Sequence, residues 1–348
     1  MKAAFKEQGV LTPREITAYL DRYVIGQKRA KEVVSIAAYN HYKRLHSPRV
    51  GSGKLIKKSN ILLIGPTGCG KTHIARNLAD VLGVPFTVVN ATDYTEAGYY
   101  GKDVEVMVAE LLFKTGGNVE ETQKGIVFVD EVDKIARRSH GARSGSGSRD
   151  IGGEGVQQAL LKLMEGEEVF VPLNVTQHWN RHDFVVVDVS DILFICAGTF
   201  SDLNRGRHSR VMGFRHGEDS EQGRDARSRI THRDLEEYGM LAEFLGRLPV
   251  LVEMNELGER ELIQIMKEPP DSIIREYQEI LSYDDIELEI TDEALQQIAR
   301  TAKSRGFGAR GLKAIFEELF HDLMFHAPEN RGSTIVIDPD FVRQRIGR

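Results

Sequence analysis

The chain has 348 residues, 41% hydrophobic and 28% charged, enough to bury a sizeable core in one large domain or two. Its net charge of −6 gives no overall attraction to nucleic acid or anionic lipid, and no stretch approaches the roughly 18 apolar residues of a membrane span. Cys69 and Cys196 are too few for a disulfide framework or a four-cysteine zinc site, and no apolar run follows Met1–Lys6, so a cytoplasmic protein without zinc, nucleic-acid or membrane partners is expected.

Thr12-Pro13-Arg14-Glu15 combines a capping hydroxyl, a proline at the first helical position and a glutamate at the third, which predicts a helix start. A second helix runs to about Arg44, and Gly, Ser and Lys then predict a linker over Ser47–Lys58. Beyond it, apolar runs at Ile61–Ile64, Phe86–Val89, Ile126–Val129, Ile192–Cys196 and Val250–Val252 alternate with helical patterns. Such alternation predicts an α/β fold: a five-stranded parallel sheet with helices on both faces. Gly141–Gly153 and Asn204–Arg233 read as loops. After Asn255 the pattern turns helical, at Glu259–Lys267, Asp271–Leu281, Asp292–Ser304 and Arg310–Phe325, with a strand pair at Ile286–Ile290 and Thr334–Ile337. The expected organisation is N-terminal helices and linker over 1–58, a large domain over 59–255 and a small, mainly helical domain over 256–348.

The run Ile61–Ile64 leads into Gly65-Pro66-Thr67-Gly68-Cys69-Gly70-Lys71-Thr72-His73, a strand, a glycine-rich turn and a helix. This is the Walker A context, in which turn N–H groups and the helix N-terminus meet phosphate charge. Lys71 is expected on the β and γ phosphates of ATP, and Thr72 on Mg2+; Cys69 reads as a small filler. Ile126–Val129 delivers Asp130 and Glu131 to a strand end, where ligands of open α/β sheets bind. Asp130 would share the metal and Glu131 would orient and deprotonate the attacking water. Thr199, after the strand Ile192–Cys196, reads either as a γ-phosphate contact or as a hydroxyl capping the next turn.

Arg247 in Glu243–Pro249 and Arg310 in Gly308–Leu312 are each candidates for stabilising the transferring phosphoryl group, against a plain salt-bridged reading. Ala97-Gly98-Tyr99-Tyr100-Gly101 sets two aromatics between glycines, either an exposed grip or, for one ring, core packing.

Together with Tyr23-Val24-Ile25-Gly26-Gln27, Tyr39–Arg44 and Gly153–Lys162, these motifs resemble the ClpX family of AAA+ unfoldases from about Leu11 to Ile337. The resemblance implies an ATPase that forms a homo-hexamer and pulls unfolded or tagged protein through a central pore. It places Val24 and Ile25 in the adenine pocket, Arg247 as a finger to the adjacent subunit and Arg310 as a nucleotide sensor. It assigns Tyr99 and Tyr100 to one pore loop and Ser148, Arg149 and Asp150 to a second.

The chain departs from that pattern in two places within its own residues. Where the family carries an Arg-Lys-His loop, this chain has Gln177–His182, with less charge, and the peptidase-docking tripeptide is matched by Met212, Gly213 and Phe214. The family's N-terminal zinc-binding domain is also expected to be absent. These differences leave two readings open: an unfoldase that feeds a ClpP-like peptidase, and a remodelling chaperone or scaffold uncoupled from proteolysis.

Overall fold

The computed structural model describes residues 11–46, 49–50, 53–95, 102–137, 151–166, 168–172, 184–201, 203 and 229–346. In chain order its elements begin with α1 (Pro13–Tyr23), α2 (Lys28–His46), β1 (Arg49–Val50), β2 (Gly53–Lys54), β3 (Ile61–Ile64), α3 (Lys71–Leu82) and β4 (Phe86–Asn90). They continue with α4 (Val106–Lys114), α5 (Val119–Thr122), β5 (Ile126–Asp130), α6 (Ile151–Glu165), β6 (Glu168–Pro172), β7 (Phe184–Asp188) and β8 (Leu193–Gly198). α7 (His232–Tyr238), α8 (Ala242–Gly246) and β9 (Val250–Glu253) complete the part built on the central sheet. The last stretch holds α9 (Glu259–Lys267), α10 (Ile273–Ser282), β10 (Glu287–Ile290), α11 (Asp292–Ser304), α12 (Ala309–Phe325), β11 (Thr334–Ile337) and α13 (Pro339–Arg345).

The central sheet has five strands in the order β4-β5-β8-β3-β9, every neighbour pair parallel. Its inner strands β3, β5 and β8 carry apolar runs without alternation because both faces are covered. Ile61, Leu63, Phe128 and Ile195 pack under α1–α3 on one face, while Leu62, Ile64, Val129 and Phe194 pack under α4, α6, α7 and α8 on the other. A third cluster, from Leu257 to Val342, is built separately: Leu262, Ile298, Ile315, Phe316 and Leu319 are fully buried around the parallel pair β10–β11. Tyr277 and Phe320 stack at 4.4 Å between ring centroids inside it.

Local chemistry sets the helix starts. The Thr12 hydroxyl accepts the Glu15 N–H at 3.4 Å and the Glu15 carboxylate accepts the Thr12 N–H at 2.7 Å, so α1 opens on a reciprocal cap followed by Pro13. Thr231 and Asp234 repeat the arrangement at α7.

Several boundaries differ from expectation. Ile192 belongs to no strand: the Asp188 carboxylate accepts the Ser190 N–H at 2.8 Å, turning the chain through Val189–Asp191, and the strand begins at Leu193. Of the expected loop Gly141–Gly153, Ile151–Gly153 already lie in α6, and a side chain at Gly153 would come within 2.7 Å of the Ile135 carbonyl oxygen. That glycine serves close packing rather than mobility. The loop expected over Asn204–Arg233 ends earlier, because α7 starts at His232. The expected linker contains the antiparallel pair β1–β2, and an antiparallel pair β6–β7 was not foreseen. No helix of the described residues is long and apolar enough to cross a membrane.

Candidate functional site

Four parallel strands end on the same edge of the sheet, and each delivers a piece of the site there. After β3 the chain turns through Gly65–Gly70, anchored by the Gly65 N–H donating to the Gly198 carbonyl at 3.2 Å and the Met254 N–H donating to the Ile64 carbonyl at 2.7 Å. Gly68 has φ +77°, and a Cβ there would sit 2.3 Å from the Phe307 carbonyl oxygen, so only glycine fits. Gly70 precedes α3 with no side-chain cap, leaving the first N–H groups of that helix for a ligand.

The turn borders a cavity of ≈ 580 Å³ between the sheet and the third hydrophobic cluster. Thr67, Gly68, Cys69, Gly70, Lys71, Thr72 and His73 line it together with Asp130 and Glu131 from the end of β5. Val24 and Ile25 line it from the α1–α2 connection, and Arg310 lines it from the first turn of α12. Gly65 and Pro66 contribute differently: their carbonyls accept the Lys71 ammonium at 2.7 and 3.0 Å. Pro66 also borders an adjoining cavity of ≈ 380 Å³, shared by Asp130, Glu131, Asp133 and Thr199. His73 places Nε2 3.1 Å from the Tyr23 carbonyl, and burial raises the Cys69 thiol above its usual range, opposed by the Lys71 charge.

Three residues whose roles the motifs did not reveal complete the arrangement. Asn90, at the end of β4, donates its amide to Glu131 Oε2 at 3.1 Å. Asp133, almost fully buried, accepts the Thr199 hydroxyl at 2.9 Å and the Thr199 N–H at 3.2 Å. The Thr199 hydroxyl thus donates to Asp133 and accepts from the Ser201 hydroxyl at 3.4 Å, beside the cavity it lines. Gln27 donates to the carbonyls of Cys69 (3.3 Å) and Asn255 (2.7 Å), while its side-chain oxygen accepts the Asn255 N–H at 2.9 Å. Only the Asn90–Asp130 alignment, adjacent partners in the β4–β5 register, had a signal in the sequence.

Arg247 lies outside both cavities, 49% exposed, with its guanidinium 2.6 Å from Glu165 Oε1. Tyr99, Tyr100, Ser148, Arg149, Asp150, Met212, Gly213, Phe214 and the Gln177–His182 segment lie outside the described residues.

Chemically, the cavity offers a concave set of N–H groups with Lys71 and Arg310 for an anion, and Asp130, Glu131 and the Thr72 hydroxyl beside them. Val24, Ile25, Leu257, Ile265, Ile273 and Leu312 give the remaining wall an apolar part. Such a set suits a nucleoside triphosphate, and the hard oxygens of Thr72 and Asp130 suit magnesium.

Comparison with known proteins agrees. Residues 56–251 match the family model of the AAA domain (Cdc48 subfamily), and residues 257–333 match that of the C-terminal, D2-small domain of ClpB protein. The chain is 45% identical over 324 residues to the "ATP-dependent Clp protease ATP-binding subunit ClpX 2" of Wolinella succinogenes, covering 93% of this chain and 80% of that protein. It is 41% identical over 328 residues to the "ATP-dependent Clp protease ATP-binding subunit ClpX" of Treponema denticola, covering 92% and 78% respectively.

Proposed function

The chain belongs to the ClpX family of AAA ATPases, and from that premise we propose how its residues couple ATP hydrolysis to protein unfolding. The observation that carries the reading is the single cavity in which Lys71, Thr72, Asp130, Glu131 and Arg310 converge from both sides of the Leu257 boundary.

Turn N–H groups of Gly68–Thr72 receive the phosphates, and the Lys71 ammonium exchanges the Gly65 and Pro66 carbonyls for β and γ oxygens. Thr72 and Asp130 hold magnesium, which when bound supplies charge neutralisation at the phosphates. Glu131 orients a water and takes its proton, having first been released from the Asn90 amide. Arg310 answers the change of charge from the small domain over 256–348, and Arg247, on leaving Glu165, reaches the site of the neighbouring subunit. In a hexamer of this kind Tyr99 and Tyr100 grip polypeptide by apolar area, with Ser148, Arg149 and Asp150 on a second loop. The small domain then acts as the lever. Force rather than covalent chemistry acts on the substrate.

Both relatives are named as ATP-binding subunits of Clp protease, and by likeness Met212, Gly213 and Phe214 dock a ClpP-like peptidase in the cytoplasm.

In the decisive experiment, Glu131→Gln retains ATP binding and loses hydrolysis by at least about a hundredfold, the usual contribution of a general base. Normal turnover in that variant removes the catalytic assignment. ATP-dependent unfolding of a tagged fluorescent protein, slowed in Tyr99→Ala, tests the grip, and degradation with a cognate ClpP-like peptidase, lost in Phe214→Ala, tests docking.

A further inference from the structure

Beside the cavity lies a buried polar group, the Ser272 hydroxyl, for which neither phosphate chemistry nor the fold accounts. Ser272 immediately precedes α10 with φ −64° and ψ 149°, the backbone conformation of a helix N-cap. Its main chain is fully engaged: the N–H donates to the Pro269 carbonyl at 3.0 Å, and its carbonyl accepts the Glu276 N–H at 3.1 Å. The hydroxyl makes no capping bond to α10. Ser272 is only 2% exposed, and its Oγ has no hydrogen-bond partner among the described residues. A serine at an N-cap that withholds its hydroxyl forgoes the bond for which the position is normally selected, and a buried hydroxyl without a partner costs free energy.

Its location suggests what the hydroxyl meets. Ser272 lines the larger cavity with the Walker A turn, Asp130, Glu131 and Thr199, and does not reach the adjoining one that Asp133 borders. The side chains of Val24, Ile25, Ile265, Ile273 and Leu312 line the same cavity. Apolar groups of this kind suit the faces of a flat heterocycle better than a sugar, whose hydroxyls need polar partners. A serine hydroxyl can donate to a ring nitrogen and accept from an exocyclic amine at once.

We propose that Ser272 is the residue that hydrogen-bonds the purine base of the bound nucleotide. The inference rests on the ATP-binding reading of the cavity and deepens it. Because the phosphates are held by the turn after β3 while Ser272 belongs to the segment that packs with the third hydrophobic cluster, the base contact ties the two parts of the chain through one ligand molecule.

The test compares wild type, Ser272→Ala and Lys71→Ala in ATP binding by calorimetry and in nucleotide-free thermal stability. Ser272→Ala is expected to weaken ATP binding about two- to tenfold, the range of one net hydrogen bond. Its nucleotide-free melting temperature is expected to be unchanged or raised, since the substitution removes an unpaired buried hydroxyl. The loss should persist with 2′-deoxy-ATP and 3′-deoxy-ATP. Unchanged ATP affinity in Ser272→Ala, beside wild-type binding and loss in Lys71→Ala, overturns this inference and leaves the site reading intact. A lowered nucleotide-free melting temperature with unaltered affinity identifies a structural cap and overturns it too. Loss that vanishes with either deoxynucleotide moves the contact to the ribose and overturns the assignment to the base. Failure of wild type to bind ATP sinks the site reading and this inference together.

Discussion

Glu131 stands in the left-handed backbone region, φ 59° and ψ 33°, where a side chain costs on the order of 1–3 kcal/mol. The Glu131 N–H donates to Asp130 Oδ1 at 2.9 Å and Asn90 holds its carboxylate, so local bonds offset part of that strain. The turn directs the chain out of β5 directly at the sheet edge, which a continued strand would not do. Gly68 carries the opposite constraint, since any side chain there meets the Phe307 carbonyl. Gly68→Ala is expected to lower the melting temperature by a few degrees, from a penalty of about 1–2 kcal/mol, and to weaken ATP binding at least tenfold. A variant that melts and binds ATP like wild type would remove the role given to this close approach. The residues of the Walker A turn were legible because their spacing is local. Asp133 was not: its bond to Thr199 spans 66 positions, and nothing in an aspartate three residues after Asp130 announces that it is buried. Gln27 was hidden for the same reason, its partners lying 42 and 228 positions away.

The strands that cross the molecule's middle were readable as elements because full burial on both faces leaves uninterrupted apolar runs. The β6–β7 pair escaped because Phe170, Phe184 and Val186 face solvent where polar residues would mark an alternating strand. Beneath the start of β8 a charged cluster holds the turn Val189–Asp191 against α2. Arg44 pairs with Asp191 at 3.3 Å, and Lys58 donates to the Val189 carbonyl at 2.9 Å while lying 4.8 Å over the Phe194 ring. Burial, helped by the Arg44 charge and opposed by Asp191 and Asp188, pushes the Lys58 ammonium down to about 7. Between that value and the ordinary lysine range the unfolded chain binds more protons than the folded one, so the lysine's contribution makes stability rise with pH. Denaturant melts from pH 7 to 9 should show this rise, and Lys58→Met should flatten it; an unchanged slope in the variant would exclude Lys58 as its source. The Gln27 clamp joins the α1–α2 connection to the glycine-rich turn and to Asn255, which leads into α9. Gln27→Ala should leave the far-ultraviolet spectrum intact and reduce ATP affinity severalfold, because two carbonyls and one N–H lose a common partner. Binding equal to wild type would show that the clamp does not support the nucleotide cavity.

Across the whole molecule, two clusters share the central sheet and the third, beginning at Leu257, is complete without it. The nucleotide cavity lies where they meet, closed on one side by Gly308 packed against Gly68 and by the Ala309 N–H donating to the Gly68 carbonyl at 3.2 Å. Rotation of the third cluster away from the turn must break that bond and separate those glycines. Cys69 lies within the same turn, only 3% exposed, whereas Cys196 is sealed in the middle of β8 and its thiol is pushed far up by burial. The chain thereby carries a native chemical reporter of its own opening. A maleimide should add first at Cys69, at a rate set by how often the two parts swing apart, and ATP should slow it. Cys196 should react only when the sheet itself unravels. Peptide mass mapping over time would read both clocks in an unaltered protein, and equal labelling of the two thiols would mean that the parts do not move independently.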